Sequence, residues 1–337
     1  SDLLHCAPTM PQLRRDPIGG RWVVIAPERA DRPSAFLRRA PEPDEGICPF
    51  CVGNETMTPP ELLARRENGA WTLRVVPNRY PALRTEIQMS RSGHGLFDSM
   101  AGVGAHEVVI ESSDHAATLA SMPAAQIEAV LRAWQERMED LARDLRLQSM
   151  IVFKNHGAPA GATLHHAHSQ LIALPFVPET LASELQAARR HFADKERCVF
   201  CDVLAQELAE KERVVLENEA VVVLSPWAAR SPFELSILPR QHRSSFESAN
   251  GQELPALADA LRTILRKIDV ALENPAYNLY LHTMPLREPP NDFYHWHLEL
   301  KPVLSQQAGF EWATGCYVNP TAPEEAAAFL RQTEVFP

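Results

Sequence analysis

Histidine is the side chain that can ligate a metal, carry a proton or attack phosphorus near neutral pH. This chain places three of them within four positions, His165-His166-Ala167-His168, followed by Ser169-Gln170. A loop feeds the cluster: Asn155-His156-Gly157-Ala158-Pro159-Ala160-Gly161-Ala162-Thr163. Apolar, β-like runs flank the whole, at 150–153 and 171–175. In an extended strand, residues two apart share a face. His166, His168 and Gln170 therefore point one way, and His165 and Ser169 the other. Two glycines and small side chains let backbone N–H groups approach a ligand closely, a common way to cradle phosphate. A lone histidine is more often a half-buried structural residue. Three beside a phosphate-type loop point to chemistry at phosphorus.

Cysteines supply the second signal. Six are present, and four form two Cys-x-x-Cys pairs, Cys48/Cys51 and Cys198/Cys201. Such pairs in a cytosolic chain are metal or redox sites before they are disulfides. The two pairs lie too far apart to form one four-cysteine site, whose pairs are roughly 15–20 residues apart. Each needs histidine partners of its own. A tetrahedral zinc site could be completed by His115 and His166 for Cys48/Cys51, and by His242 and His295 for Cys198/Cys201. Both sets are closed, so the expected ions, zinc by ligand type though iron fits similar sites, are structural. They pin the histidine segment to a distant loop and leave His168 free to react. Cys6 and Cys316 show no partner pattern.

The elements that must position these residues recur twice. In the first half, strands are expected at 21–27, 73–76 and 106–111, the last running into Ser112-Ser113-Asp114-His115. An amphipathic helix over about 123–146 follows, with Ile127, Val130, Leu131, Trp134, Met138, Leu141 and Leu145 at three- and four-residue steps. From residue 198 the same order returns: strands at 221–224 and 234–239, His242, a helix over about 253–272, and strands at 278–282 and 295–302. His115 to His166 is 51 residues and His242 to His295 is 53. The chain is thus read as an α+β protein of two duplicated units, residues 1–180 catalytic and 181–337 a diverged repeat, with largely antiparallel sheets flanked by helices. Divergence is visible at the site itself. Half two has His297 and Glu299 where half one has His168 and Gln170, and a Pro-rich run where half one has its glycine loop. A carboxylate repels phosphate, whereas an amide can donate to it. Residues 84–104, rich in Ser, Gly and Met, read as a mobile loop.

Composition narrows the function classes. The net charge is −10 and no basic stripe is interleaved with aromatics, against a nucleic-acid surface. No apolar run reaches the roughly 18 residues of a membrane span. No basic-then-apolar leader is visible, so a soluble, cytoplasmic protein is the default.

On the Cys-x-x-Cys pair, Ser-x-Asp-His at 112–115, Asn155-x-Gly157, His166-x-His168-x-Gln170 and the inner repeat, the chain resembles the galactose-1-phosphate uridylyltransferases, the transferase branch of the histidine-triad superfamily. The resemblance spans nearly the full length. It implies a histidine-triad-like fold and a ping-pong reaction. His168 attacks the α-phosphorus of UDP-glucose, and the uridylylated histidine passes UMP to galactose 1-phosphate. Gln170, Asn155, Thr163 and the loop glycines Gly157 and Gly161 would hold the phosphates; Arg29 and Arg32 match a pair near the sugar phosphate, and Asn78 a base- and ribose-side position. It also implies a homodimer and no catalytic divalent ion. Ala162 and Arg79 depart from better-studied members, which often have Cys and Asp there. Segments 277–283 and 309–320 look more like a divergent branch that includes a plant ADP-glucose phosphorylase. Base, uracil or adenine, and acceptor, hexose 1-phosphate or phosphate, stay open between the two. A zinc-held nucleotide-binding module without catalysis is the remaining reading.

Overall fold

The computed structural model describes residues 10–31, 46–249 and 251–335. Two short strands come first, β1 (Gln12–Arg15) and β2 (Trp22–Ile25). Next are β3 (Leu63–Glu67), β4 (Ala70–Pro77), the hairpin β5 (Arg91–His94) and β6 (Phe97–Met100), and β7 (Ala105–Ile110). Helix α1 (Ala124–Leu141) leads to β8 (Ser149–His156) and β9 (His168–Leu174). The second half opens with two helices absent from the sequence reading, α2 (Glu179–Lys195) and α3 (Val199–Glu210). It continues with β10 (Val214–Glu217), β11 (Val221–Leu224), β12 (Leu235–Pro239), α4 (Glu253–Leu272), β13 (Tyr277–His282) and β14 (His297–Pro302). The tail is α5 (Gly309–Thr314), β15 (Tyr317–Asn319) and α6 (Pro323–Gln332).

The fold is α+β. Ten strands form one sheet in the order β10-β11-β12-β14-β13-β8-β9-β7-β4-β3, every neighbouring pair antiparallel. Read inward from either edge, each half contributes the same succession of five elements. The halves meet at β8 and β13, where Asn155 pairs with Asn278 and Phe153 with Tyr280. One face carries α1 and α4, whose apolar stripes bury Trp134, Leu131, Ile264 and Leu265 against Leu171, Val152, Leu279 and Leu300. Alternation along β9 follows: Leu171 and Ala173 enter that core, and His168 and Gln170 turn to the other face. β1, β2 and β15 form a separate small sheet, with β2 and β15 parallel, which packs Val23 and Ile25 against Ala228 and Ala322 of the second half.

Two expectations differ from the structure. Helix α1 stops at Leu141, and Leu145 is 76% exposed, because Asp144 turns the chain by accepting from the Arg146 N–H and guanidinium. Within the serine-rich 84–104 stretch, β5 and β6 pair as a hairpin around Gly95, whose φ is +62°. No helix among the described residues is long and apolar enough to cross a membrane.

Candidate active site and metal groups

His166 lies at a bend two residues before β9, and so outside the strand expected to carry it. Its Nε2 bonds the Ser112 carbonyl at 2.8 Å, which leaves Nδ1 as the unprotonated nitrogen, 3.7 Å from both Cys48 and Cys51 Sγ. His115 Nδ1 is 3.2 Å from Cys51 Sγ. In the second half His242 and His295 repeat the device: their Nε2 atoms bond the Asn291 and Pro239 carbonyls, and their Nδ1 atoms lie 3.4 and 3.7 Å from Cys201 Sγ. The donor atoms of each Cys2His2 group lie within 4.8 Å of one another. Zinc–sulfur and zinc–nitrogen bonds of about 2.3 and 2.0 Å give a tetrahedral S···N edge of about 3.5 Å. Lone pairs converging at that spacing, with the rings of His166, His242 and His295 each oriented by a carbonyl behind it, fit a tetrahedral cation. Both groups could hold a metal ion.

His168 is 7% exposed, and its Nδ1 lies 2.8 Å from the His166 carbonyl. A carbonyl only accepts, so Nδ1 carries the proton and Nε2 keeps its lone pair. Nε2 makes no hydrogen bond to the described residues. Burial, then the Lys154 ammonium, lowers the His168 pKa, so the ring is held neutral. Below it, Lys154 Nζ bonds Glu111 at 2.6 Å and the His168 carbonyl at 3.0 Å. Phe50, from the first cysteine turn, packs its edge on His166 and His168, with centroids 6.1 and 5.5 Å away.

A cavity of about 380 Å³ opens beside His168, within the size range of small-ligand sites. Gln170, Thr163 and Asn78 line it, with Phe50, Met57, Pro59, Val76, Val108 and Leu164 as its apolar wall. The glycine loop is built as the sequence requires: Gly157 and Gly161 have φ of +80° and +91°, around a 3-10 turn, Ala158–Ala160. A Cβ at Gly157 would sit 2.9 Å from Ala276 Cβ. His156 stacks on Tyr277 at 4.8 Å, and burial lowers its pKa to about 4. Asn155 Oδ1 accepts from Asn278 Nδ2 at 2.8 Å, and the same amide donates to the Ala160 carbonyl at 2.9 Å. The loop of half one therefore rests on β13 of half two. Arg29 sits in the 3-10 turn after β2, and does not line the cavity; Arg32 lies outside the described residues.

Half two reuses the geometry with other chemistry. His297 Nδ1 meets the His295 carbonyl at 3.1 Å, as His168 does that of His166. Glu299 instead contacts Arg230 and the Tyr280 hydroxyl, and Arg230 also bonds Glu234 at 2.7 Å. Burial opposes the Glu299 charge, yet Arg230, His282, His297 and the Tyr280 hydroxyl together outweigh it and hold the carboxyl well below its usual range. Glu184, His282, His297 and Glu299 bring four donor atoms within 4.8 Å of one another. Burial disfavours a charged His282, but Glu184, 2.9 Å away, reverses the balance and raises its pKa.

Sequence reasoning missed Phe50, His106, Glu111, Lys154, Asn278, Glu184 and His282. A readable signal existed for one pair: Glu111 and Lys154 are charges inside otherwise apolar strand sequence, which calls for a buried partner.

Two family profiles cover the chain. That of the galactose-1-phosphate uridyl transferase N-terminal domain matches residues 6–178, and that of its C-terminal domain residues 184–327. The chain belongs to the galactose-1-phosphate uridyl transferase family. Among similar proteins, ADP-glucose phosphorylase of Arabidopsis thaliana is 38% identical over 96% of this chain and 93% of its own. Galactose-1-phosphate uridylyltransferase of Thermotoga maritima is 32% identical over 97% and 99%. The crystal structure of an Arabidopsis thaliana ADP-glucose phosphorylase with bound ADP-glucose superposes with a TM-score of 0.84 at 34% identity, covering 96% of this chain and all of that one.

Proposed function

We propose that the chain is a nucleotidyltransferase that works through a covalent nucleotidyl-histidine at His168, with Gln170 as the adjoining phosphate donor. One observation carries the reading: His168 Nδ1–H is committed to the His166 carbonyl, while Nε2 is unprotonated beside a cavity shared with Gln170. Nε2 attacks the α-phosphorus of a nucleoside diphosphate sugar. The N–P bond forms as the bond to the bridging oxygen breaks, and sugar 1-phosphate leaves. A phosphate oxygen of the acceptor then displaces the histidine, regenerating Nε2. The Gln170 amide and loop N–H groups, with Asn155 and Thr163, face negative charge that grows on the non-bridging oxygens. Arg29 and Arg32 take the sugar-phosphate role and Asn78 the base side in this reading. Residues 1–180 do the chemistry and 181–337 are the diverged repeat. Zinc at Cys48, Cys51, His115 and His166 would fix the carbonyl that orients His168, and zinc at Cys198, Cys201, His242 and His295 would do the same service for the second half. The reading includes a cytoplasmic homodimer.

For the donor, similarity to the Arabidopsis enzyme and to its ADP-glucose complex supports adenine, with inorganic phosphate as acceptor. Similarity to the Thermotoga enzyme and the family profile support UDP-glucose with galactose 1-phosphate. Incubating the protein with each nucleotide sugar, quenching, and mapping the adduct by mass spectrometry separates the two. AMP or UMP on His168 is expected, absent from His168→Ala. Turnover without any adduct, or undiminished turnover in His168→Ala, would overturn the covalent route.

A further inference from the structure

Gln170 can serve a phosphate only if its NH₂ end, not its carbonyl end, faces the cavity. The two ends have the same shape, so something must choose between them. His106 on β7 is that device. Its Nδ1 accepts the Ala82 backbone N–H at 3.1 Å, a donor that cannot rotate or change role. In the neutral ring Nε2 must then carry the proton, and Nε2 lies 2.7 Å from Gln170 Oε1. The amide oxygen is thereby claimed, and the NH₂ is left without a protein partner among the described residues. β7 and β9 pair with Val108 opposite Gln170 and His106 opposite Ile172, so the ring reaches Gln170 diagonally. Asn78 does not compete for that proton, because the atom it presents to Nε2 is an amide nitrogen, which cannot accept it. Its Oδ1 is taken by the Tyr80 N–H at 2.8 Å, which turns its amide nitrogen to the ring edge, 3.1 Å from Nε2. The His106 carbonyl in turn accepts the Asn78 N–H at 2.8 Å.

We infer that His106 is a positioning residue that fixes the orientation of the Gln170 amide toward the phosphate of the substrate, through the relay Ala82 N–H to Nδ1 and Nε2–H to Oε1. This deepens the proposed function and rests on it. Half two lacks the need: at the Gln170 position it has Glu299, whose two equivalent oxygens have no wrong end.

Three variants test it by the rate of nucleotidyl-His168 formation under single-turnover conditions, with donor affinity measured separately. His106→Phe keeps the ring and removes both nitrogens; the rate is expected to fall about tenfold to a hundredfold, less than or equal to the loss of one oxyanion donor, with affinity changed less than about threefold. His106→Gln, whose NH₂ reaches the Nε2 position, is expected to recover most of that loss. In a Gln170→Ala background, His106→Phe is expected to cost less than about twofold more, because both residues act as one unit. An equal cost in both backgrounds, or no cost in the native one, overturns the inference. Absence of any adduct on the unaltered protein would instead overturn the covalent reading, so the two failures are distinct.

Discussion

Lys154→Met tests whether the charge buried beneath His168 is structural. Lys154 and Glu111 are 1% and 0% exposed at the side chain, and their ion pair is 2.6 Å long. Lys154 meets Glu111 Oε2, and Oε1 has no hydrogen-bond partner among the described residues, so deleting the ammonium leaves a carboxylate alone in the core. Removing one member of such a pair costs about 3–5 kcal/mol, mostly the desolvation of the survivor. Unfolding entropy of about 2.1 cal/mol/K per residue over 337 residues amounts to about 0.7 kcal/mol/K. The melting temperature should therefore drop by about 4–7 °C, read by scanning calorimetry. The double variant Lys154→Met/Glu111→Leu removes the stranded charge and should recover most of that drop. Both should still react slowly, since the His168 carbonyl loses its ammonium partner. A single variant melting within about 1 °C of the parent, or a double variant no more stable than the single, would refute the reasoning.

Burial and Lys154 lower the His168 pKa, so Nε2 stays unprotonated to lower pH than an ordinary imidazole. Adduct formation should be flat from above neutrality down through the usual imidazole range near 6.5 and fall only below it; a fall already centred there would count against it. Asn278→Ala frees the Ala160 carbonyl and Asn155 and should slow adduct formation about tenfold while leaving the melting temperature within about 2 °C; equal rates would show that the seam does not shape the loop. Elemental analysis should find two divalent ions per chain, and Cys51→Ser should lose one of them with a drop in melting temperature. Unchanged metal content in that variant would remove the first Cys2His2 group as a site.

What could be read in advance followed local period. The helix at 253–272 and the strand at 221–224 lie where apolar periodicity placed them, whereas the strands expected to hold both histidines of each His-x-His segment begin only at the second, His168 and His297. The Cys2His2 groupings were legible because ligand chemistry is fixed by residue type, so spacing alone paired Cys48 and Cys51 with His115 and His166. Helix α2 escaped because its sequence, rich in Ala, Glu and Arg, offers a narrow apolar stripe, and α3 because its short apolar run is read first as the surroundings of Cys198 and Cys201. His106 and Asn278 escaped for a different reason. Their roles depend on cross-strand register, and a polar residue in a strand has no sequence mark saying which neighbour's amide it will meet.

The seam between β8 and β13 gives the second half, which has no such glycine loop, a part in shaping the loop of the first. Ala276 leaves no room for a side chain at Gly157, and the loop's Asn155 and Ala160 are both held by Asn278. β13 in turn is fixed along its full length by β14, from Tyr277 opposite Pro302 to His282 opposite His297. β14 begins two residues after His295, a member of the second Cys2His2 group. A continuous run of backbone pairing thus links that distant group to the backbone of the glycine loop. Glu299, bonded to Arg230 and the Tyr280 hydroxyl, gives the second half a carboxylate tied into the protein where the first half has the Gln170 amide. In the proposed reading the second copy supplies rigidity where the first supplies reactivity, and the pairing of β8 with β13 is where the two meet.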